Sequence, residues 1–293
     1  MKRIEKVGVV GSGTMGAQIA MVCAMAGYQV VLQDIQKDRL KKAEESLHFH
    51  MNNRIAKGKL TEEEVEKAFR LLTYTTSLED FQDVDFVIEA IVEKLSVKRD
   101  VFAELDQITP QHTILATNSS TIVSSKIASA TNRPEKVCNT HFFNPPLVME
   151  LVEVVCGEHT SAETADTAFQ FIKNINKLPV LLNKEISGFV ANRILGALLD
   201  EAVYLLENDY ASHEEIDLIV QKALKHPIGP FALLDLTGLD VSYYVKQERY
   251  EETGLESDRP SKLIEQKVKN GELGRKTGKG FYSYQNKITT LID

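Results

Sequence analysis

The stretch THFFNPPLVMELVEV, residues 140–154, places a histidine, a proline-broken turn and a glutamate inside an apolar run. Alternation counted from Met149 puts Met149, Leu151, Glu153 and Val155 on one face of a predicted strand. Three of those four are apolar, so the Glu153 carboxylate needs a partner. His141 is the nearest candidate in sequence. Asn144-Pro145-Pro146 forces a turn and can return the chain beside itself, bringing Glu153 back to His141. A carboxylate holding one imidazole nitrogen fixes the tautomer and orients the ring, which suits general acid–base work. A histidine at a strand end is more often structural. Here it stands at the C-terminal end of its strand, the edge where open parallel sheets bind ligands. ATNSSTI closes the preceding strand, so Asn118, Ser119 and Ser120 share that edge, either as a helix cap or facing a ligand.

A second cluster lies near the N-terminus. VGVVGSGTMGAQIA holds Gly11-x-Gly13-x-x-Gly16 between an apolar strand and an apolar helix, and a second strand ends at Asp34. Gly11 permits the tight turn, Gly13 lets the backbone approach a pyrophosphate, and Gly16 lets helix and strand pack closely. The helix N-terminus offers free N–H groups to phosphates. Asp34 would accept hydrogen bonds from a ribose diol and repel a 2′-phosphate, which favours NAD over NADP.

These residues require a scaffold in which strands and helices alternate. KVGVV, QVVLQD, VDFVIEAI, HTILATN and KVCNTHFF read as strands; TMGAQIAMVCAMAG, KRDVFAELDQI and IVSSKIASA read as helices. Residues 37–72 form a charged helical arm, in which Thr61 and Glu64 supply a capping box. Such alternation predicts an α/β fold, a Rossmann-type, mostly parallel sheet. After KLPVLLN the pattern is helical, which predicts an all-α C-terminal domain over 187–293 behind a Rossmann-like domain over 1–186. In GFVANRILGALLDEAV, the stripe Phe189, Leu195, Leu199 and Val203 also carries Asn192. A buried amide needs partners: Asn192 either packs as a polar group or reaches across the domain cleft toward His141.

With 293 residues and 43% of them hydrophobic, the chain has material for two such cores. Its net charge of -8 argues against a nucleic-acid partner, which would need a basic footprint. Cys23, Cys138 and Cys156 have neither disulfide nor zinc spacing and lie in apolar surroundings, so free thiols in the cytosol are expected, with no metal. No stretch reaches transmembrane length, and the apolar run Val7–Val10 is too short for a signal-peptide core.

GSGTMGAQIA, VIEAIVEKLSVK, HFFNPPLVMELVEV, GFVANRILGALLDEAV, HPIGPFALLDLTGLD and GRKTGKGFYSY, taken in order, resemble the 3-hydroxyacyl-CoA dehydrogenases, specifically the short bacterial 3-hydroxybutyryl-CoA dehydrogenases. The resemblance covers essentially the whole chain. It implies NAD-dependent, reversible oxidation of (3S)-3-hydroxyacyl-CoA, with His141 as catalytic base, Glu153 as its orienting partner, and Ser120 and Asn192 around the reacting oxygen. Implied cofactor contacts are Gly11, Ser12, Gly13, Thr14, Met15, Gly16, Asp34, Ala90, Glu93, Lys98, Asn118, Ser120, Asn144 and Lys276. The arm would meet the acyl-CoA substrate through Ser46, Asn53 and Arg54, and the helical domain would form a homodimer. Asn53 stands where some members carry a lysine for the CoA phosphates, Glu150 where a lysine is frequent, Ala232 where a glutamate is frequent, and Thr121 replaces a second serine. Rival readings are a related dehydrogenase of a non-CoA hydroxy acid, of L-gulonate or carnitine type, and a non-catalytic dinucleotide-binding protein.

Overall fold

The computed structural model describes residues 3–284. It divides into two units, Met1–Phe189 and Val190–Asp293. The first unit is built on one eight-stranded sheet. Its strands are β1 (Lys6–Val10), β2 (Gln29–Gln33), β3 (Leu72–Thr75), β4 (Phe86–Glu89), β5 (Ile114–Thr117), β6 (Val137–Phe142), β7 (Leu151–Val155) and β8 (Leu178–Leu182). Its helices are α1 (Thr14–Met25), α2 (Lys37–Ala56), α3 (Glu62–Arg70), α4 (Leu95–Ile108), α5 (Ser125–Ala128) and α6 (Ala162–Asn174).

The spatial order is β3-β2-β1-β4-β5-β6-β7-β8. The first six pair in parallel, β6 and β7 pair antiparallel, and β8 runs parallel to β7. Alternate residues feed opposite faces. Val7, Val9, Val30, Leu32, Phe86 and Ile88 pack toward α1, α2 and α6, while Val10, Val31, Val87 and Leu115 pack with Phe102 and Leu105 of α4. Burial on both faces explains why these strands read as continuous apolar runs. The parallel strands end on one edge, and the order reverses between β1 and β4, where doubly wound sheets form a ligand crevice.

Several local expectations change. The arm ends at Arg70, because Leu72 begins β3. Leu178–Leu182, to which the sequence pattern assigns no element, is a strand, although it is only partly buried. IVSSKIASA yields one helical turn, α5. Met149 precedes β7 and is exposed, so the apolar face counted from it is shorter than the alternation implied. Phe189 has φ 46°, so it stands outside the helix whose stripe it was expected to extend.

The second unit contains α7 (Ala191–Glu207), α8 (His213–Ala223), α9 (Pro230–Thr237), α10 (Leu239–Thr253) and α11 (Lys262–Lys269). HPIGPFALLDLTGLDVSYYV therefore supplies two helices, parted at Gly238. Ala202, Val203, Ile216, Phe231, Leu234, Leu239 and Ile264 form its core. Two buried carboxylates organise the C-terminal segment. Asp235 accepts hydrogen bonds from Phe281 N (2.9 Å), Tyr282 N (2.8 Å) and Tyr284 Oη (3.0 Å). Asp217 accepts from Phe231 N (2.8 Å), Ala232 N (3.0 Å) and Tyr282 Oη (2.9 Å). Burial, followed by the adjacent Asp235 charge, pushes the Tyr284 phenol up to about 12. The GFYSY stretch is thus clamped to α8 and α9 through these two carboxylates. Asp235→Ala leaves two backbone donors without their acceptor and is expected to cost about 2–4 kcal/mol; urea unfolding checks this, and a change under about 0.5 kcal/mol, the size of an ordinary surface substitution, would overturn it.

Candidate active site

The glycine loop follows β1 and opens α1. Gly11 has φ 98°, and a Cβ there would lie 2.7 Å from the Ala90 carbonyl oxygen at the end of β4. A Cβ on Gly16 would lie 1.9 Å from the Gly11 carbonyl oxygen, so helix and turn meet only because no side chain intervenes. The Cβ position of Gly13 meets nothing within 4 Å, and Gly13 caps α1 without a side-chain bond. The α1 N-terminus therefore faces open space with its N–H groups available to an anion. Gly13 and Thr14 are exposed, Met15 is half-buried and Ser12 is buried. Asp34, at the end of β2, accepts from Ser12 N and Ser12 Oγ, both at 3.0 Å, and from Gln36 N at 3.0 Å. These bonds fix the carboxylate beside the loop. The geometry fits a dinucleotide: a phosphate at the helix end and a diol at Asp34.

The neighbouring loops are joined by buried charge. Lys98 of α4 is 1% exposed; its Nζ lies 2.7 Å from Glu89 Oε1 and 3.2 Å from Glu93 Oε2. Glu89 is wholly buried and also accepts from Thr117 Oγ1 (2.7 Å) and Ile91 N (2.7 Å). Glu93 accepts from Ser119 Oγ, Thr121 Oγ1 (2.9 Å) and Lys98. Burial works against the Glu93 charge, but the Lys98 ammonium and the two hydroxyls outweigh it, and the carboxyl is held below its ordinary range. The stability it lends is present above that range and is lost as pH falls through the lowered value. Lys98, Glu93 and Ser119 thus tie the segment after β4 to the segment after β5. Ala90 lies in the first segment. Asn118 lies in the second, and its Oδ1 accepts from Phe142 N at 2.9 Å, joining the ends of β5 and β6.

His141 and Glu153 are direct cross-strand partners in the β6–β7 register. His141 Nδ1 stands 2.8 Å from Glu153 Oε2, and Nε2 stands 3.1 Å from Ser120 Oγ. His141 is 3% exposed and Glu153 2%. With Nδ1–H donating to the carboxylate, Nε2 carries a lone pair that faces Ser120 Oγ and can accept a proton. The connecting loop is held from three sides. Arg54 Nη2 donates to the Leu147 carbonyl, Lys177 Nζ donates to the Pro146 (2.7 Å) and Met149 (2.8 Å) carbonyls, and Gln18 Oε1 accepts from Leu147 N (3.2 Å). Arg54, expected on the substrate, is thus engaged with this loop. Asn144 lies in the loop and is exposed.

Ser46 and Asn53 are exposed on α2. Ser46 lines a recess of about 350 Å³ with Gly13, Thr14, Arg39 and Lys42. Asn192 and Lys276 belong to the second unit. Asn192 is half-buried in the first turn of α7, and Lys276 Nζ pairs with Asp240 Oδ1 at 2.5 Å. Sequence reasoning missed Glu89, Phe143 and Phe189. Glu89 carries the same signal that flagged Glu153: an acid inside an apolar strand, VDFVIEAI.

Residues 6–186 match the family model described as 3-hydroxyacyl-CoA dehydrogenase, NAD binding domain, and residues 188–284 match the model of the C-terminal domain of the same family. The chain is 42% identical over 279 residues to a 3-hydroxybutyryl-CoA dehydrogenase of Clostridioides difficile, covering 95% of this chain and 99% of that one. It is 38% identical over 293 residues to a 3-hydroxyadipyl-CoA dehydrogenase of Escherichia coli, covering 62% of that longer protein. The crystal structure of (S)-3-hydroxybutyryl-CoA dehydrogenase from Ralstonia eutropha superposes with a TM-score of 0.91 at 38% identity, covering 97% of this chain and 100% of that one. Glycine loop, sheet and helical unit together place this chain in the 3-hydroxyacyl-CoA dehydrogenase family, with NAD as its cofactor.

Proposed function

We propose that the protein oxidises (3S)-3-hydroxyacyl-CoA, with 3-hydroxybutyryl-CoA as the favoured substrate, to the 3-oxoacyl-CoA, and runs the reaction in reverse. The observation that carries this reading is the buried His141–Glu153 pair at 2.8 Å, with Nε2 turned toward Ser120 on the C-terminal edge of the sheet. NAD held by the glycine loop and Asp34 would supply the hydride acceptor, and NADH the donor in reverse. His141 Nε2 takes the proton of the 3-hydroxyl as the carbonyl forms. In reverse, the imidazolium returns that proton to the oxygen. Glu153 holds Nδ1–H and balances the imidazolium charge. Ser120 and Asn192 stabilise charge developing on the oxygen by hydrogen bonding.

Around the cofactor, we assign contacts to the glycine-loop residues, Asp34, Ala90, Glu93, Lys98, Asn118, Asn144 and Lys276. The substrate's CoA portion is assigned to Ser46 and Asn53 on the arm, with Arg54 beside them holding the Leu147 carbonyl through Nη2. Large apolar side chains exposed on the second unit, among them Ile194, Leu218, Ile219, Val241, Tyr244 and Val245, support a homodimer through that unit. Free buried cysteines support a cytosolic setting, and no described helix is long and apolar enough to cross a membrane.

His141→Gln should lose about 10²–10⁴-fold in kcat, the usual contribution of a positioned acid–base group, while NADH binding stays intact. Stopped-flow turnover with acetoacetyl-CoA and fluorescence titration with NADH read the two separately; wild-type kcat would reject the assignment. Glu153→Gln should lower kcat and alter the acid limb of the oxidation profile, because the ring loses the carboxylate that holds Nδ1–H. A pH–rate series decides, and an unmoved limb counts against the pair. Asp34→Gly should narrow the preference for NADH over NADPH by about tenfold or more, equivalent to about 1.4 kcal/mol, when kcat/KM is measured with each. Activity confined to dehydrocarnitine or a dehydro-sugar acid would favour the non-CoA reading.

A further inference from the structure

We propose that Phe189 is a positioning residue for the His141 imidazole, and that the chain accepts a strained backbone at Phe189 to place its ring there. This inference rests on the reading of His141 as the acid–base group.

The two ring nitrogens of His141 are fixed in plane by Glu153 and Ser120. Those bonds do not stop the ring rocking about the axis they define, nor do they keep water off its carbon faces. Two aromatic rings supply that constraint. Phe143 lies 4.6 Å from the imidazole centroid at 59°, and Phe189 lies 5.4 Å away at 55°. Phe143 is the second residue after His141, so it arrives with the strand. Phe189 arrives from far along the chain, as the last residue of the first unit. It is completely buried, whereas the adjoining Val190 is 45% exposed.

The backbone at Phe189 is the second observation. Its φ of 46° follows φ 77° at Gly188, and its N–H donates to the Ile186 carbonyl at 3.0 Å. A left-handed conformation costs a bulky residue about 1–3 kcal/mol. Glycine or asparagine would form the same turn with less strain. A phenylalanine here is therefore explained by where its ring goes. The turn is also anchored upstream. Glu185 Oε1 accepts from Ser124 Oγ at 2.7 Å and from Ser125 N at 2.9 Å, fastening the linker to the first unit before Phe189 is reached. With the ring in place the imidazole cannot tilt, and the buried carboxylate acts on it through a medium with little water to screen the charge.

The test compares Phe189→Ala, Phe189→Asn and Phe189→Leu with wild type and His141→Gln. Asparagine tolerates the left-handed backbone, so it preserves the turn while removing the ring. In the folded alanine and asparagine variants, kcat with acetoacetyl-CoA should fall about 10- to 100-fold, the scale expected for a misplaced catalytic group, with KM for NADH unchanged and the pH–rate profile displaced. ¹⁵N spectra of the His141 ring should change from one tautomer to an averaged pair. Leucine, which restores apolar bulk, should recover most of kcat and the wild-type profile. Wild-type kcat, pH profile and ring spectrum in folded asparagine or alanine variants would overturn the proposal, provided His141→Gln is inactive. Normal turnover in His141→Gln would instead remove the reading on which it rests.

Discussion

One cross-strand contact organises the ligand edge of this sheet: His141 opposite Glu153 in the only antiparallel pairing among the described strands of the main sheet. In an all-parallel sheet, two successive strands reach the same edge only after a long crossover. Reversing the chain between β6 and β7 puts both residues at one edge with a short loop between them. The distance between imidazole and carboxylate is then set by main-chain hydrogen bonds. A one-residue slip would send Glu153 to the opposite face. Arg54, Lys177 and Gln18 reach the loop from separate elements and resist such a slip.

Burial makes this pair consequential. An isolated carboxylate at 2% exposure would be costly, and removing one member of a buried ion pair commonly costs about 3–5 kcal/mol. Glu89, Lys98 and Glu93 repeat the arrangement beneath the dinucleotide crevice. There the cation is central and the two carboxylates belong to one strand end and the loop beyond it. In both places an acid in an apolar strand is tolerated because a specific partner meets it.

Much of this could be read from residue types. The glycine spacing located the first crevice, and the misplaced acid in LVMELVEV pointed to His141. What escaped reading follows from how the information is carried. β3 and β8 are short strands flanking helical or linker-like text, and β8 is only partly buried, so its pattern is weak. Glu89 was legible by the argument used for Glu153, but its partner sits on the helix that follows rather than across a hairpin. Phe189 was absorbed into the stripe of α7 because periodicity cannot reveal a left-handed residue just before a helix. The GKGFYSY stretch carried the resemblance, but residue types alone did not show that its donors meet Asp235 and Asp217. Arg54 likewise has a backbone partner that no spacing rule anticipates.

The loop from Phe143 to Glu150 is bounded by two strands whose main-chain ladder sets His141 opposite Glu153. The exposed side chains of that rim, Val148 and Glu150 among them, can be rewritten while the ladder keeps imidazole and carboxylate opposed. Rim chemistry and the spacing of the pair are thus written in different parts of the chain, one in side chains and the other in main-chain register.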